Sequence, residues 1–293
     1  MVAMTVFSFK CDTLVSPLAG AAFCPSLLQP MGAKVMPSTN PQTDKALRNP
    51  INPPRSPFER EKWHNRVSNA WNSRQNRTKM LKKVTKAQLI AIREAISDPV
   101  PPRVAILGGS FDPPHLGHSC LALSVLAVAD VDEIWVLPCN NHPQAKTLSD
   151  FHHRTDMCQL AFRYLHPQVR VLKVEKHLPT PNFTAQTVQV LQNIFPKTQF
   201  HWIIGSDLLT DLPTWQDAQW LADNVHYLVI EREGYPTTAP PEGFKMSCFS
   251  GFTLPNIASR HLRSAPNLTR PNDGMDKAVW AYALEKGLYD DGT

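Results

Sequence analysis

Four apolar residues, Val104-Ala105-Ile106-Leu107, run straight into Gly108-Gly109-Ser110-Phe111-Asp112-Pro113-Pro114-His115-Leu116-Gly117-His118. A short run that is apolar at every position suits a strand covered on both faces, as in a buried parallel sheet. Leu116 to Val128 then reads as a helix. Two glycines between strand and helix let the backbone approach a bulky anion and take conformations that other residues avoid. Pro113-Pro114 stiffens the turn, and the first helical turn offers free N–H groups at the positive end of the helix dipole. His115 and His118 stand three apart on that turn and share a face, with Gly117 allowing close approach between them. Together these features describe a phosphate site. A zinc site is the weaker reading, because no carboxylate or cysteine accompanies the two histidines. A surface or core HxxH is the bland one.

The chain beyond this loop keeps alternating. Glu133–Leu137, Val169–Leu172, Phe200–Ile204 and Val225–Ile230 read as strands. Asp150–Leu165, with Asp150 as N-cap, Thr184–Ile194 and Trp215–Leu221 read as helices. Strands and helices in turn predict βαβ units, a parallel sheet covered on both faces, and all strand-to-helix loops on one edge. Ligands bind at that edge in open α/β sheets. Upstream, Val84 to Ser97 has helical spacing with Thr85 as N-cap, and Asp98-Pro99-Val100-Pro101-Pro102 stops it. The expected organisation is an extension over 1–83, a helix over 84–98 preceding the domain, and an α/β domain over 103–289.

Charge divides the chain in the same place. Residues 55–93 hold eleven Lys and Arg against Glu59 and Glu61, a net of +9, so the remainder of a chain whose net charge is +5 carries −4. The basic balance therefore says nothing for nucleic-acid binding by the α/β domain. Residues 38–57 are rich in Pro, Asn and Ser, the composition of a linker. Residues 1–40 contain one acidic residue, Asp12, but no Arg occurs before Arg48. The extension is read first as disordered and second as an organellar targeting segment. Met31, Met36 and Met80 are alternative starts. The six cysteines form no CxxC, which fits a reducing, cytoplasmic setting. No run is apolar for the roughly 18 residues a membrane span needs.

The loop from Gly108 to His118 resembles the (H/T)xGH loop of the nucleotidyltransferase superfamily. Its longer form, Phe111-Asp112-Pro113-Pro114-His115, is similar to that of the bacterial-type nicotinate-nucleotide adenylyltransferases. Four further stretches carry the resemblance, in order: Asn182-Phe183-Thr184-Ala185-Gln186-Thr187-Val188; Ile203-Ile204-Gly205-Ser206-Asp207 with Leu212-Pro213-Thr214-Trp215; Ile257-Ala258-Ser259-Arg260-His261-Leu262-Arg263; and Val279-Trp280-Ala281-Tyr282 through Lys286-Gly287-Leu288-Tyr289. The match spans about 185 residues and leaves residues 1–100 uncovered. It implies an α/β, Rossmann-like nucleotidyltransferase fold, a parallel sheet flanked by helices and preceded by a disordered extension.

The resemblance also implies a reaction: a mononucleotide phosphate attacks the α-phosphorus of ATP and pyrophosphate leaves. His118 would contact the α-phosphate and His115 assist. Arg263 would clamp the β- and γ-phosphates with its fork of donors, and Ser259 would add a hydroxyl. Lys146, in Asn141-His142-Pro143-Gln144-Ala145-Lys146, would stand for the basic residue of the family's Pro-His-Lys loop. Gly108, Gly109, Ser110, Phe111, Gly117, Gly205 and Asp207 would complete the ATP site, with Asp207 accepting from ribose hydroxyls. Thr184 and Thr187 would sit at the nicotinate end, and Trp215 would stack on the pyridine ring beside Gln216, where the family often has an aromatic residue. Magnesium is expected with ATP, with no protein metal site. The implied partners are ATP and nicotinate mononucleotide, with no specific nucleic acid, no membrane, and homo-oligomerisation left open. Ala258 and Arg260 replace the family's usual Ser and Thr. The competing readings are another HxGH nucleotidyltransferase, acting on nicotinamide mononucleotide or phosphopantetheine, and a non-catalytic nucleotide- or RNA-binding protein.

Overall fold

The sheet grows from the run that opens the domain. Val104, Ala105 and Ile106 are fully buried and Leu107 nearly so, as a strand covered on both faces requires. The computed structural model describes residues 83–96, 99–143, 147–237, 239–263 and 274–289. The readings made on residues 1–82, and on Lys146, lie outside these.

Six strands pair in parallel in the order β3-β2-β1-β4-β5-β6. They are β1 (Arg103–Gly109), β2 (Glu133–Pro138), β3 (Val169–Val171), β4 (Gln199–Gly205), β5 (His226–Arg232) and β6 (Lys245–Leu254). The helices are α1 (Lys86–Glu94), α2 (Leu116–Val128), α3 (Phe151–Phe162), α4 (Thr184–Ile194), α5 (Ala218–Asn224), α6 (Ser259–Arg263) and α7 (Lys277–Glu285). One face of the sheet packs against α1, α4 and α5 around Trp135, Trp202 and Tyr227. The other packs against α2, α3 and α7 around Leu107, Phe162 and Ile203. Because β1 lies between β2 and β4, the chain winds outward in both directions from it. The loops after β1 and β4 therefore part to opposite faces and leave a crevice between them.

Local signals account for most boundaries. The Asp150 carboxylate caps α3 by accepting from the His152 amide at 2.7 Å. Thr85 and Gln88 form a reciprocal capping box at the start of α1. Three expectations need correction. The helix expected at Trp215–Leu221 begins three residues later, at Ala218, because Leu212–Thr214 forms a separate 3-10 turn that ends at Trp215. The helix expected over 84–97 is confined to Lys86–Glu94. Strand β6 has no counterpart in the sequence reading, since Lys245-Met246-Ser247-Cys248-Phe249-Ser250-Gly251 mixes polar and small residues, as edge strands do.

Helix α1 is part of the core. Val84, Ile92 and Ile96 are buried in the same cluster as the α4 residues Val188 and Leu191, and Arg93 stacks over Phe195 at 5.1 Å. Replacing Ile92, which is 0% exposed, by alanine should cost about 2–4 kcal/mol of stability in the full chain. A urea melt checks this, and an unshifted midpoint would show that the helix is only tethered to the domain. The same burial sets where a shortened chain must begin: before Lys83, not at the proline run 99–102.

Candidate functional site

A cleft of about 240 Å³ opens at the crevice beside β1. Its walls come from the ends of β1 (Leu107, Gly108) and β4 (Ile203 to Gly205), from the first turn of α2, and from Arg232 and Ser259. His115 and His118 both line it, and their rings stack with centroids 3.7 Å apart and planes at 30°.

The stack is built from three sides. Phe111 packs its ring against His118 at 4.8 Å and against Phe162 at 6.3 Å. Gly117 lets the His115 ring pack close: a Cβ there would lie 3.0 Å from Nδ1 and 3.1 Å from Cε1. The His115 amide donates to His118 Nδ1 at 3.2 Å. An imidazole that accepts at Nδ1 carries its proton on Nε2 when neutral, so His118 presents an N–H donor by construction.

Burial keeps both rings neutral. His115 is lowered to about 4, by burial first and by the Arg232 charge second. His118 is pushed well below its ordinary value by burial, by His115 and by Arg232. A histidine whose folded pKa lies below the unfolded value binds fewer protons than the unfolded chain over that interval. Its contribution is therefore complete above about pH 6.5 and is lost as the pH falls towards 4. For His115 the shift corresponds to on the order of 3 kcal/mol. The denaturant midpoint should fall between pH 7 and pH 5, and the slope should flatten in His115→Asn. An equal slope in the variant would remove His115 as the cause.

The remaining predicted residues divide into those the crevice gathers and those it does not. Asp207 lines the cleft, and its carboxylate accepts from Arg232 Nη1 at 2.6 Å. Gly205 is what allows this, because a Cβ there would fall on Asp207 Oδ1. Gly108 also lines the cleft, but the reason it is glycine differs from expectation. It lies in β1 with ordinary φ, and a Cβ would meet the Trp202 indole at 2.5 Å. Gly109 likewise makes room for the Phe111 ring, 3.2 Å away. Phe111 itself is 1% exposed, with φ of 49°. Its ring backs His118 from the core.

Ser259 lines the cleft, Arg263 does not, and both are tied to the loop. Arg263 Nη1 donates to the Asp112 carbonyl, and the Ser259 hydroxyl donates to the Pro113 carbonyl at 2.8 Å. Ser110 offers its carbonyl to Arg154 at 2.8 Å. Thr184, Thr187, Trp215 and Gln216 are not among the residues that line the cleft. Thr184 opens α4, Trp215 is half-buried against the α1/α4 cluster, and Gln216 is exposed. Thr187 is fully buried, and its hydroxyl donates to Glu175 Oε1 at 3.1 Å. Its hydroxyl is thus engaged internally.

The sequence reading missed four groups that shape the site. Arg232, at the end of β5, is the cation of the cleft and also donates to the Ile257 carbonyl at 2.6 Å. Asp112, 1% exposed, accepts from Tyr289 at 2.6 Å and from the Ser149 amide at 3.1 Å. Arg154, 1% exposed, joins three loops through their carbonyls. Glu175 is buried beneath the loop after β2, and burial raises it to about 7 despite the hydrogen bond from Thr187 and the Arg154 charge. Only strand position signalled Arg232, which follows the run Tyr227–Ile230 at the functional edge.

Comparison with known proteins places this geometry. The cytidylyltransferase-like family matches residues 106–265. The chain is 35% identical over 193 residues to a probable nicotinate-nucleotide adenylyltransferase of Myxococcus xanthus, covering 64% of this chain and 94% of that protein. It is 32% identical over 192 residues to the nicotinate-nucleotide adenylyltransferase of Bacillus subtilis, covering 64% and 98%. In fold it is similar to Plasmodium falciparum nicotinic acid mononucleotide adenylyltransferase complexed with NaAD, with a TM-score of 0.57, 23% identity, and coverage of 65% and 98%.

Proposed function

This chain belongs to the nicotinate-nucleotide adenylyltransferases of the cytidylyltransferase-like family, and from that premise we propose that it transfers the adenylyl group of ATP to nicotinate mononucleotide, forming nicotinate adenine dinucleotide and pyrophosphate. The observation that carries the reading is the stacked His115–His118 pair at the mouth of the switch-point crevice, with His118 Nε2 set as a donor.

The reaction needs no covalent enzyme intermediate. An acceptor phosphate oxygen forms a bond to the α-phosphorus while the bond to the pyrophosphate oxygen breaks. Catalysis then rests on positioning and on stabilising charge that grows on phosphate oxygens. In this reading His118 donates to an α-phosphate oxygen and His115 holds its ring in place. Arg232 supplies positive charge to the cleft, and Asp207, steadied by Arg232, accepts from the ribose. Arg263 and Ser259 hold the 112–113 turn, and the remaining donors of Arg263 serve the β- and γ-phosphates. Lys146 is assigned to the same phosphates on resemblance alone. Thr184 and Trp215 form the acceptor end, with Gln216 at its rim.

Magnesium enters as the companion of ATP rather than as a resident cofactor. Within the cleft Asp207 is paired with Arg232. We place the enzyme in the cytoplasm, on the free thiols of Cys120, Cys139, Cys158 and Cys248. No helix among the described residues is long and apolar enough to cross a membrane.

The test is pyrophosphate release by the full chain with ATP and, separately, nicotinate mononucleotide, nicotinamide mononucleotide and phosphopantetheine. Turnover is expected with the first acceptor. Turnover with phosphopantetheine alone would assign the chain to another activity of the superfamily, and none with any acceptor would leave a nucleotide-binding protein.

A further inference from the structure

Glu175 sits in the 3-10 turn Val174–His177, between β3 and α4, and is 5% exposed. A buried carboxyl is costly unless its partners need it. Its hydrogen-bonding partner lies on the acceptor side. The Thr187 hydroxyl, in the first turns of α4, donates to Oε1 at 3.1 Å. The other carboxyl oxygen, Oε2, is buried without a hydrogen-bond partner.

Its backbone extends the same junction. The Glu175 carbonyl accepts from Asn182 Nδ2 at 3.3 Å. Asn182, 3% exposed, is in turn locked to Asn141: the Asn141 amide donates to Asn182 Oδ1 at 2.9 Å, and the Asn182 amide donates to the Asn141 carbonyl at 3.0 Å. So the loop after β2 and the loop that enters α4 are tied to each other, and the second of them is tied to this turn. Neither loop has strand or helix pairing to fix it across that gap.

We propose that Glu175 is a positioning residue for the acceptor end: its buried carboxyl holds the first turn of α4 to the turn 174–177, whose backbone is tied through Asn182 to the loop after β2, and so sets where Thr184 and its backbone meet the mononucleotide. The inference rests on the acceptor assignment made above. The crevice that takes ATP has its own supports in Arg232 and Asp207, which share no hydrogen bond with Glu175. Disturbing Glu175 should therefore move the acceptor and leave ATP.

The experiment is steady-state kinetics of the full chain with ATP and nicotinate mononucleotide varied in turn, for Glu175→Ala, Glu175→Gln and Thr187→Val. In Glu175→Ala the KM for the mononucleotide should rise about tenfold or more while the KM for ATP stays within about twofold. Glu175→Gln keeps an oxygen for the Thr187 hydroxyl and should recover most of the loss. Thr187→Val keeps the shape, removes the donor and should shift the mononucleotide KM alone. If Glu175→Ala does not fold, the other two variants still decide. A parallel rise in both KM values, or no rise in either, overturns the inference. If the wild-type chain does not turn over nicotinate mononucleotide at all, the acceptor assignment has failed instead, and that result is distinct.

Discussion

Replacing His118 by alanine is expected to lower kcat by about two to three orders of magnitude, the size seen when one preorganised donor to a developing oxyanion is removed. The expectation follows from the tautomer. With Nδ1 occupied by the His115 amide, the neutral ring has its Nε2–H fixed before ATP arrives, so no reorganisation is needed as charge grows on the phosphate. The Phe111 ring behind it and the His115 ring against it leave the imidazole little freedom. Because the interaction strengthens only as charge develops, kcat should fall much more than the KM for ATP rises. His118→Gln, which can offer a side-chain N–H from a longer and looser arm, should recover part of the rate. A circular-dichroism spectrum and melt close to wild type would separate this from unfolding. A kcat for His118→Ala within about threefold of wild type would refute the role, since a transition-state donor is worth far more than that.

How much of this was legible in the sequence depends on which force placed each residue. Strand β1 and the turn after it were readable because both rest on local rules: a run with no polar position, then two glycines, then a helix start. The reason for the glycines was not readable. Gly108 answers to Trp202, which lies on a neighbouring strand far along the chain, and Gly109 answers to Phe111. Only the fold brings those rings to the backbone. The two histidines were found by spacing, whereas their neutrality comes from burial and from Arg232, neither of which spacing reveals. Thr187 was found by its motif, but the Glu175 carboxyl that its hydroxyl meets was not. Strand β6 escaped notice because an edge strand need not be apolar. The residues missed altogether, Asp112, Arg154, Glu175 and Arg232, are all charged groups with buried or half-buried side chains. A charged side chain is by default read as a solvated one, and only its partners in space show otherwise.

Arg154 makes that point as a prediction about stability. The side chain is 1% exposed, and Nε donates to the Ser149 carbonyl at 2.8 Å. Nη1 donates to the Ser110 carbonyl at 2.8 Å and to the Cys139 carbonyl at 2.6 Å. These three carbonyls belong to the loop after β1, the end of β2 and the entry to α3. Arg154→Met fills similar space but leaves the carbonyls without those donors, and it withdraws the charge that helps to hold the nearby Glu175 carboxyl down. Breaking a buried charged network of this kind should cost about 3–5 kcal/mol. For a domain near 200 residues that is a fall in Tm of roughly 6–20 °C. Arg154→Lys retains a charge but only a point donor in place of the planar fork, so it should rescue a minor part. Activity should fall in Arg154→Met even well below its melting point, because Ser110 belongs to the loop that leads to His115 and His118. A melt of Arg154→Met within about 2 °C of wild type, under 1 kcal/mol by the same conversion, would mean that these loops hold one another without the guanidinium, and that its three hydrogen bonds are replaceable by water.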